Sequence, residues 1–89
     1  MKREYKKIAL GVEAKFLTDG TILPRAIWLD GCRFAVERIL AKNKRHPMEV
    51  ACLAPIEYAV IVDGYRKVIY YEPSLQQWFS IKEIGGSHL

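Results

Sequence analysis

Residues 8–16 alternate in character. Ile8, Leu10, Val12, Ala14 and Phe16 fall on one face, and Lys7, Ala9, Gly11, Glu13 and Lys15 on the other. A period of two predicts a strand with one buried side. After Asp19-Gly20, residues 21–29 place Ala26 and Trp28 on one face and Arg25, Ile27 and Leu29 on the other. Pro24 has no amide proton for a ladder, so this strand starts late, bulges or lies at an edge there. Both faces carry apolar groups, which predicts a second layer or a partner against one of them. A third strand is predicted through residues 33–38, with Phe34 and Val36 inward and Arg33, Ala35 and Glu37 outward. Adjacent Ile39 and Leu40 then break the phase, as a bulge does. Val36, Ile39 and Leu40 also fit helical spacing over residues 34–44. The segment follows a hairpin turn and has no capping box, which favours the strand.

Asp19-Gly20, Asp30-Gly31 and Asp63-Gly64 punctuate this alternation. Asp-Gly suits the centre of a type I′ turn, where both residues need positive φ, so the three pairs predict hairpins. Residues 42–55 are irregular, interrupted by Asn43, Pro47 and Pro55, with room for one short helix around 48–53. A connection of this length often plugs the end of a small barrel. Residues 56–62 and 65–72 predict the next hairpin, in which Tyr58, Val60 and Val62 pair naturally with Val68 and Tyr70, although alternation does not fix the register. Pro73-Ser74 turns the chain into a last strand over residues 76–81. The pattern predicts an all-β fold: a single small, partly open barrel of SH3-like type with five or six antiparallel strands. A basic arm (1–7) precedes the barrel domain (8–83), and a flexible tail (84–89) follows.

Composition narrows the class. With 89 residues, 51% of them apolar, the chain is too short for two ordinary domains and too apolar for disorder. No apolar run approaches the roughly 18 residues of a membrane span. The basic start is followed by no signal-peptide core before Glu13, so a cytoplasmic protein with no membrane partner is expected. A domain this small buries only about 60–65% of its unfolded surface, so bulky side chains must fill its core. Trp28, Phe34, Tyr58 and Trp78 are the expected fillers. Cys32 and Cys52 read as reduced, buried or half-buried thiols in that compartment.

Catalytic signatures are scarce. His46 and Cys52 share one connection, but no third group is evident to orient a nucleophile pair, and His88 lies in the tail. Paired metal-ligand spacings are missing, and Gly85-Gly86 opens no helix that would cradle phosphate. The expectation is a non-enzyme without cofactor or metal, in which carboxylates such as Glu13 and Asp19 are solubilising. The net charge of +4 is more informative. Lys2, Arg3, Lys6 and Lys7 against Glu4, and then Lys42, Lys44 and Arg45, each form a strongly basic segment. Side by side they would attract phosphate. Lys42, Lys44, Arg45, Tyr65, Arg66 and Lys67 are therefore candidates for binding single-stranded nucleic acid, with Tyr65 offering a stacking face. Neighbouring aromatics suggest another use. Tyr70 and Tyr71, like Trp78 and Phe79, must point to opposite faces of a strand. Ile27, Leu29, Tyr70, Tyr71 and Phe79 are accordingly candidates for an exposed apolar interface with a protein partner or a second copy. Protein interaction is the first expectation and nucleic-acid binding the second.

One ordered set of motifs adds to this reading. Val12-x-Ala14-x-Phe16, Asp19-Gly20-x-Ile22-x-Pro24, Trp28-x-Asp30-Gly31, Phe34-x-Val36 and Trp78-Phe79 follow one another along residues 8–81. The set resembles a family of small bacterial β proteins, most common in clostridia and related Firmicutes, which has no established activity. The resemblance implies the β fold and a bacterial origin. Residues 43–55 are more proline-rich here than in that pattern, and no site residue is carried across.

Overall fold

In a computed structural model that describes residues 4–44 and 55–84, the chain forms seven strands. They are β1 (Glu4–Ala9), β2 (Gly11–Phe16), β3 (Ile22–Leu29), β4 (Cys32–Lys44), β5 (Ile56–Val62), β6 (Tyr65–Glu72) and β7 (Gln77–Ile84). All neighbours are antiparallel, in the order β1-β7-β6-β5-β4-β3-β2. The sheet is open and strongly curled, a half-barrel. Its two ends in strand order, β1 and β2, are consecutive in the chain and joined by Leu10 alone. The Leu10 amide donates to the Trp78 carbonyl at 3.0 Å, which holds that bend against β7.

Seven strands replace the five or six expected, because the run read as one strand over 8–16 divides at Leu10. Residues Glu4–Lys7, expected in the basic arm, instead pair with β7 from Glu4↔Ile84 to Lys7↔Ile81. A strand whose lysines stay at the surface tolerates such a sequence: Lys6 and Lys7 are both exposed. The expected helix at 48–53, the tail beyond Ile84, Arg45, His46, Cys52 and His88 lie outside the described residues.

The turns follow from their sequences. Asp30-Gly31 and Asp63-Gly64 have φ of 51° and 80°, and 52° and 79°, the positive pairs of a type I′ turn. They close two-residue loops between Leu29↔Cys32 and Val62↔Tyr65. Asp19-Gly20 does something else. The Gly20 amide donates to the Leu17 carbonyl, the Thr21 amide to Asp19 Oδ1, and only Gly20 takes positive φ (90°). This is a three-residue loop ending in a glycine bulge. A Cβ at Gly64 would meet no neighbour within 4 Å, yet a β-branched residue would sit in a backbone region that costs about 1–3 kcal/mol. Gly64→Val is expected to lose that much in urea unfolding; an unchanged midpoint would contradict the turn.

Bulges set the curvature. Glu13↔Ala26 is followed by Ala14↔Pro24, which leaves Arg25 as the extra residue beside Pro24. On β4, Glu37 and Leu40 are extra, between Val36↔Val62 and Arg38↔Ile61, and between Ile39↔Val60 and Ala41↔Ala59. Phe34, Val36 and Ile39 thereby all reach the concave face. There they pack against a core of Ile27, Tyr58, Val60, Val62, Ile69 and Tyr71, joined by Leu10, Val12, Ile22, Leu29, Ile56 and Trp78. The Asp63-Gly64 turn decides the β5–β6 register. Because Val62 pairs with Tyr65, Val60 meets Lys67 and Tyr58 meets Ile69. Val68 and Tyr70, expected opposite Tyr58–Val62, instead pair with Ala59 and Glu57 on the convex face. No described residue is in a helix, and hence none forms a helix able to cross a membrane.

Candidate functional site

The proposed apolar interface does not form as a patch. Ile27 is wholly buried in the core, Tyr71 is 4% exposed, and Leu29 packs half-buried against them. Phe79 does face outward. It is covered there by the Tyr70 ring, stacked at 5.3 Å, and by the Lys7 ammonium, 4.8 Å from its centroid. Tyr70 remains half-buried on the convex side, its hydroxyl donating to Glu57 at 3.3 Å. Both faces of β3 are apolar, and alternation alone does not say which of them the curl encloses.

The basic candidates are also divided. Lys44 pairs with Ile56 and Tyr65 with Val62, the first and last residues of β5, about 20 Å apart at strand rise. Lys42 leans over the Tyr58 ring at 5.9 Å on the concave side. Lys67 shares the side of Val60, whereas Arg66 shares that of Ile61. β7, β6 and β5 lie between β1 and β4 in the sheet, so Lys6 and Lys7 are not strand neighbours of Lys42 and Lys44. The described basic residues therefore do not make one continuous surface.

A different group is assembled on the outer face of β2, β3 and β4. Trp28, expected inside, is 43% exposed. It pairs with Gly11 on one side and Arg33 on the other. A Cβ at residue 11 would lie 3.3 Å from Trp28 Cβ and 3.6 Å from ring atoms, so glycine is what lets the indole lie down across β2. The indole Nε1–H donates to Glu13 at 3.0 Å. Arg33 donates to both oxygens of the same carboxylate, from Nε at 2.9 Å and Nη2 at 3.0 Å. A bidentate pair of this kind fixes orientation as well as charge. Its stability contribution is small, since both side chains are about half exposed. Its consequence is geometric: an exposed tryptophan is held in one pose. Cys32 beside it is free and exposed, not the buried or half-buried thiol expected.

Arg33, and then the indole, hold the Glu13 carboxyl below its usual range. A carboxylate with a lowered folded-state pKa stabilises above its unfolded value, and that contribution fades as pH falls through the folded value. The Trp28 indole N–H resonance is expected to shift with a midpoint below about 4.3, the ordinary glutamate value. Glu13→Gln should abolish that transition, and a midpoint above the ordinary value would contradict the contact. Among the described residues no three His, Cys, Asp or Glu side chains cluster as metal ligands would.

The chain matches no protein-family model, no curated protein and no solved structure. The roles of the site's residues follow from its own geometry. Sequence carried a usable signal for it. Alternation places Gly11, Glu13 and Arg33 on outward faces, and the pairing of Trp28 with Gly11 and Arg33 sets the indole on that same side.

Proposed function

We propose that this chain is a non-catalytic interaction module that recognises a protein partner through the Trp28 face, on a half-barrel scaffold of SH3-like type. One observation carries the reading: a large aromatic side chain is kept half-exposed and oriented by Glu13 and Arg33 over Gly11. Tryptophan and arginine dominate the energetics of protein interfaces. A side chain already fixed in its bound pose loses less entropy on association. Glu13 also occupies the fork of Arg33 that would otherwise take a phosphate, which favours protein over nucleic acid at this face.

The test is capture of interacting proteins by wild type, Trp28→Ala and Arg33→Glu, with folding checked by near-ultraviolet circular dichroism. The expected result is a defined complex that weakens at least about tenfold in Trp28→Ala, the scale of a central aromatic anchor. Complexes indifferent to Trp28, or a strict monomer with no complex at all, would overturn the reading. Nucleic-acid binding through Lys42, Lys44, Arg45, Tyr65, Arg66 and Lys67 has less support, because the described members are split by face and by end. It would show as affinity for single strands that falls steeply with salt and is unaffected by Trp28→Ala.

A further inference from the structure

β6 and β7 pair only at Tyr70↔Phe79, Tyr71↔Trp78 and Glu72↔Gln77. Beyond Phe79, β7 departs to pair with β1 as far as Ile84. Residues Tyr65 to Ile69 of β6 therefore have no strand neighbour on that side among the described residues. The tight Val62↔Tyr65 turn fixes which backbone groups this exposes. The closing pair of a two-residue hairpin exchanges both its hydrogen bonds, and alternate residues point the other way. Tyr65, Lys67 and Ile69 thus direct their amides and carbonyls to β5, while Arg66 and Val68 direct theirs to the side where no described strand pairs with them.

The same stretch borders a cavity of about 280 Å³, floored by Leu29, Phe34 and Val62 and rimmed by Asp63, Tyr65, Arg66 and Lys67. Tyr65 is 76% exposed. Neither Arg66 nor Lys67 has an ion-pair or hydrogen-bond partner among the described residues. Of the nearby carboxylates, Glu37 accepts the Gly64 amide at 3.1 Å, and Asp63 lies in the turn at the cavity rim, one negative charge against the two positive ones of Arg66 and Lys67.

We propose that β6 is a docking edge for an extended acidic and apolar segment of a partner protein, which adds as a strand beside Arg66 and Val68. The proposal rests on the reading of the chain as a protein-binding module, but places this contact at a second surface. Main-chain bonds to Arg66 and Val68 supply the pairing. An inward apolar side chain enters the cavity over Phe34 and Val62, beside Lys67, and the outward acidic side chains meet Arg66 on the convex face. A second copy of this chain is the wrong occupant, because its own Arg66 and Lys67 would lie against these two, and like charges across strands repel.

Amide hydrogen exchange on the full chain tests this. In the free protein the Arg66 and Val68 amides should exchange far faster than those of Lys67 and Ile69. A synthetic peptide alternating glutamate with valine should slow both by at least about tenfold, a degree of protection that reports formation of the pairing. Arg66→Glu should lose this peptide and gain its lysine-for-glutamate counterpart. Val68→Pro removes an outward N–H and no bond to β5, and should abolish binding of the glutamate–valine peptide while circular dichroism shows the sheet retained. Protection of Arg66 and Val68 already present in the free protein, or peptide binding that leaves these amides unchanged, would overturn the proposal. Those results would leave the Trp28 face untouched, whereas complexes indifferent to Trp28→Ala would sink that face and not this edge.

Discussion

Ile27→Asp is expected to unfold the domain, while Trp28→Asp, one residue along the same strand, should leave it folded. Ile27 has no exposed surface and sits in the central cluster with Tyr58, Val60 and Ile69. A carboxylate there has no partner of opposite charge among the residues packed around it, and burying a charge unpaired costs several kcal/mol. An 89-residue domain has roughly 4–13 kcal/mol in total. Trp28 is open to water on the other face, and its loss removes one indole contact to Glu13. Urea unfolding followed by far-ultraviolet circular dichroism reads both variants. Equal stability of the two would mean that the inside and outside of β3 had been exchanged.

Tyr58→Ala carries the second large effect, about 3–5 kcal/mol for a buried aromatic cut to a methyl. Tyr58 is 1% exposed and packs against Trp78 at 5.5 Å. Its hydroxyl donates to the Ile22 carbonyl at 2.8 Å, which links β5 to the start of β3. Burial, and then the neighbouring Tyr71, push its pKa above the ordinary phenol value. Tyr58→Phe keeps the ring and loses only that link, so it should cost about 1–2 kcal/mol. The two unfolding midpoints should therefore fall well apart and in that order. An alanine variant that loses less than the phenylalanine variant would show that the ring is not part of the core.

Much of this fold is legible along the chain, because alternation and Asp-Gly turns act locally. The type I′ turns at Asp30-Gly31 and Asp63-Gly64, the inward pair Phe34 and Val36, and the phase break at Ile39-Leu40 all stand where their residues require, whereas the bulge at Glu37 carries no such signal. The missed features are those that alternation leaves undetermined. It divides β3 into an Ile27 side and a Trp28 side, but the curl of the whole sheet decides which side is enclosed. Alternation likewise turns Phe79 outward, and only the placement of Tyr70 and Lys7 from two other strands covers it. The β5–β6 register was within reach: a two-residue loop obliges Val62 to face Tyr65, and the remaining pairs follow. The site was harder. Glu13, Trp28 and Arg33 lie on three strands, and each looked like an ordinary surface charge or core ring until the strands were placed side by side.

Acrylamide quenching of the Trp78→Phe variant, in which Trp28 is the sole tryptophan, gives the most direct reading of what this face does. In the free chain the remaining indole should be readily quenched, and the bound partner should shield it. An indole already shielded in the free chain, or one quenched as freely in the complex as out of it, would contradict the assignment of Trp28 as the binding anchor.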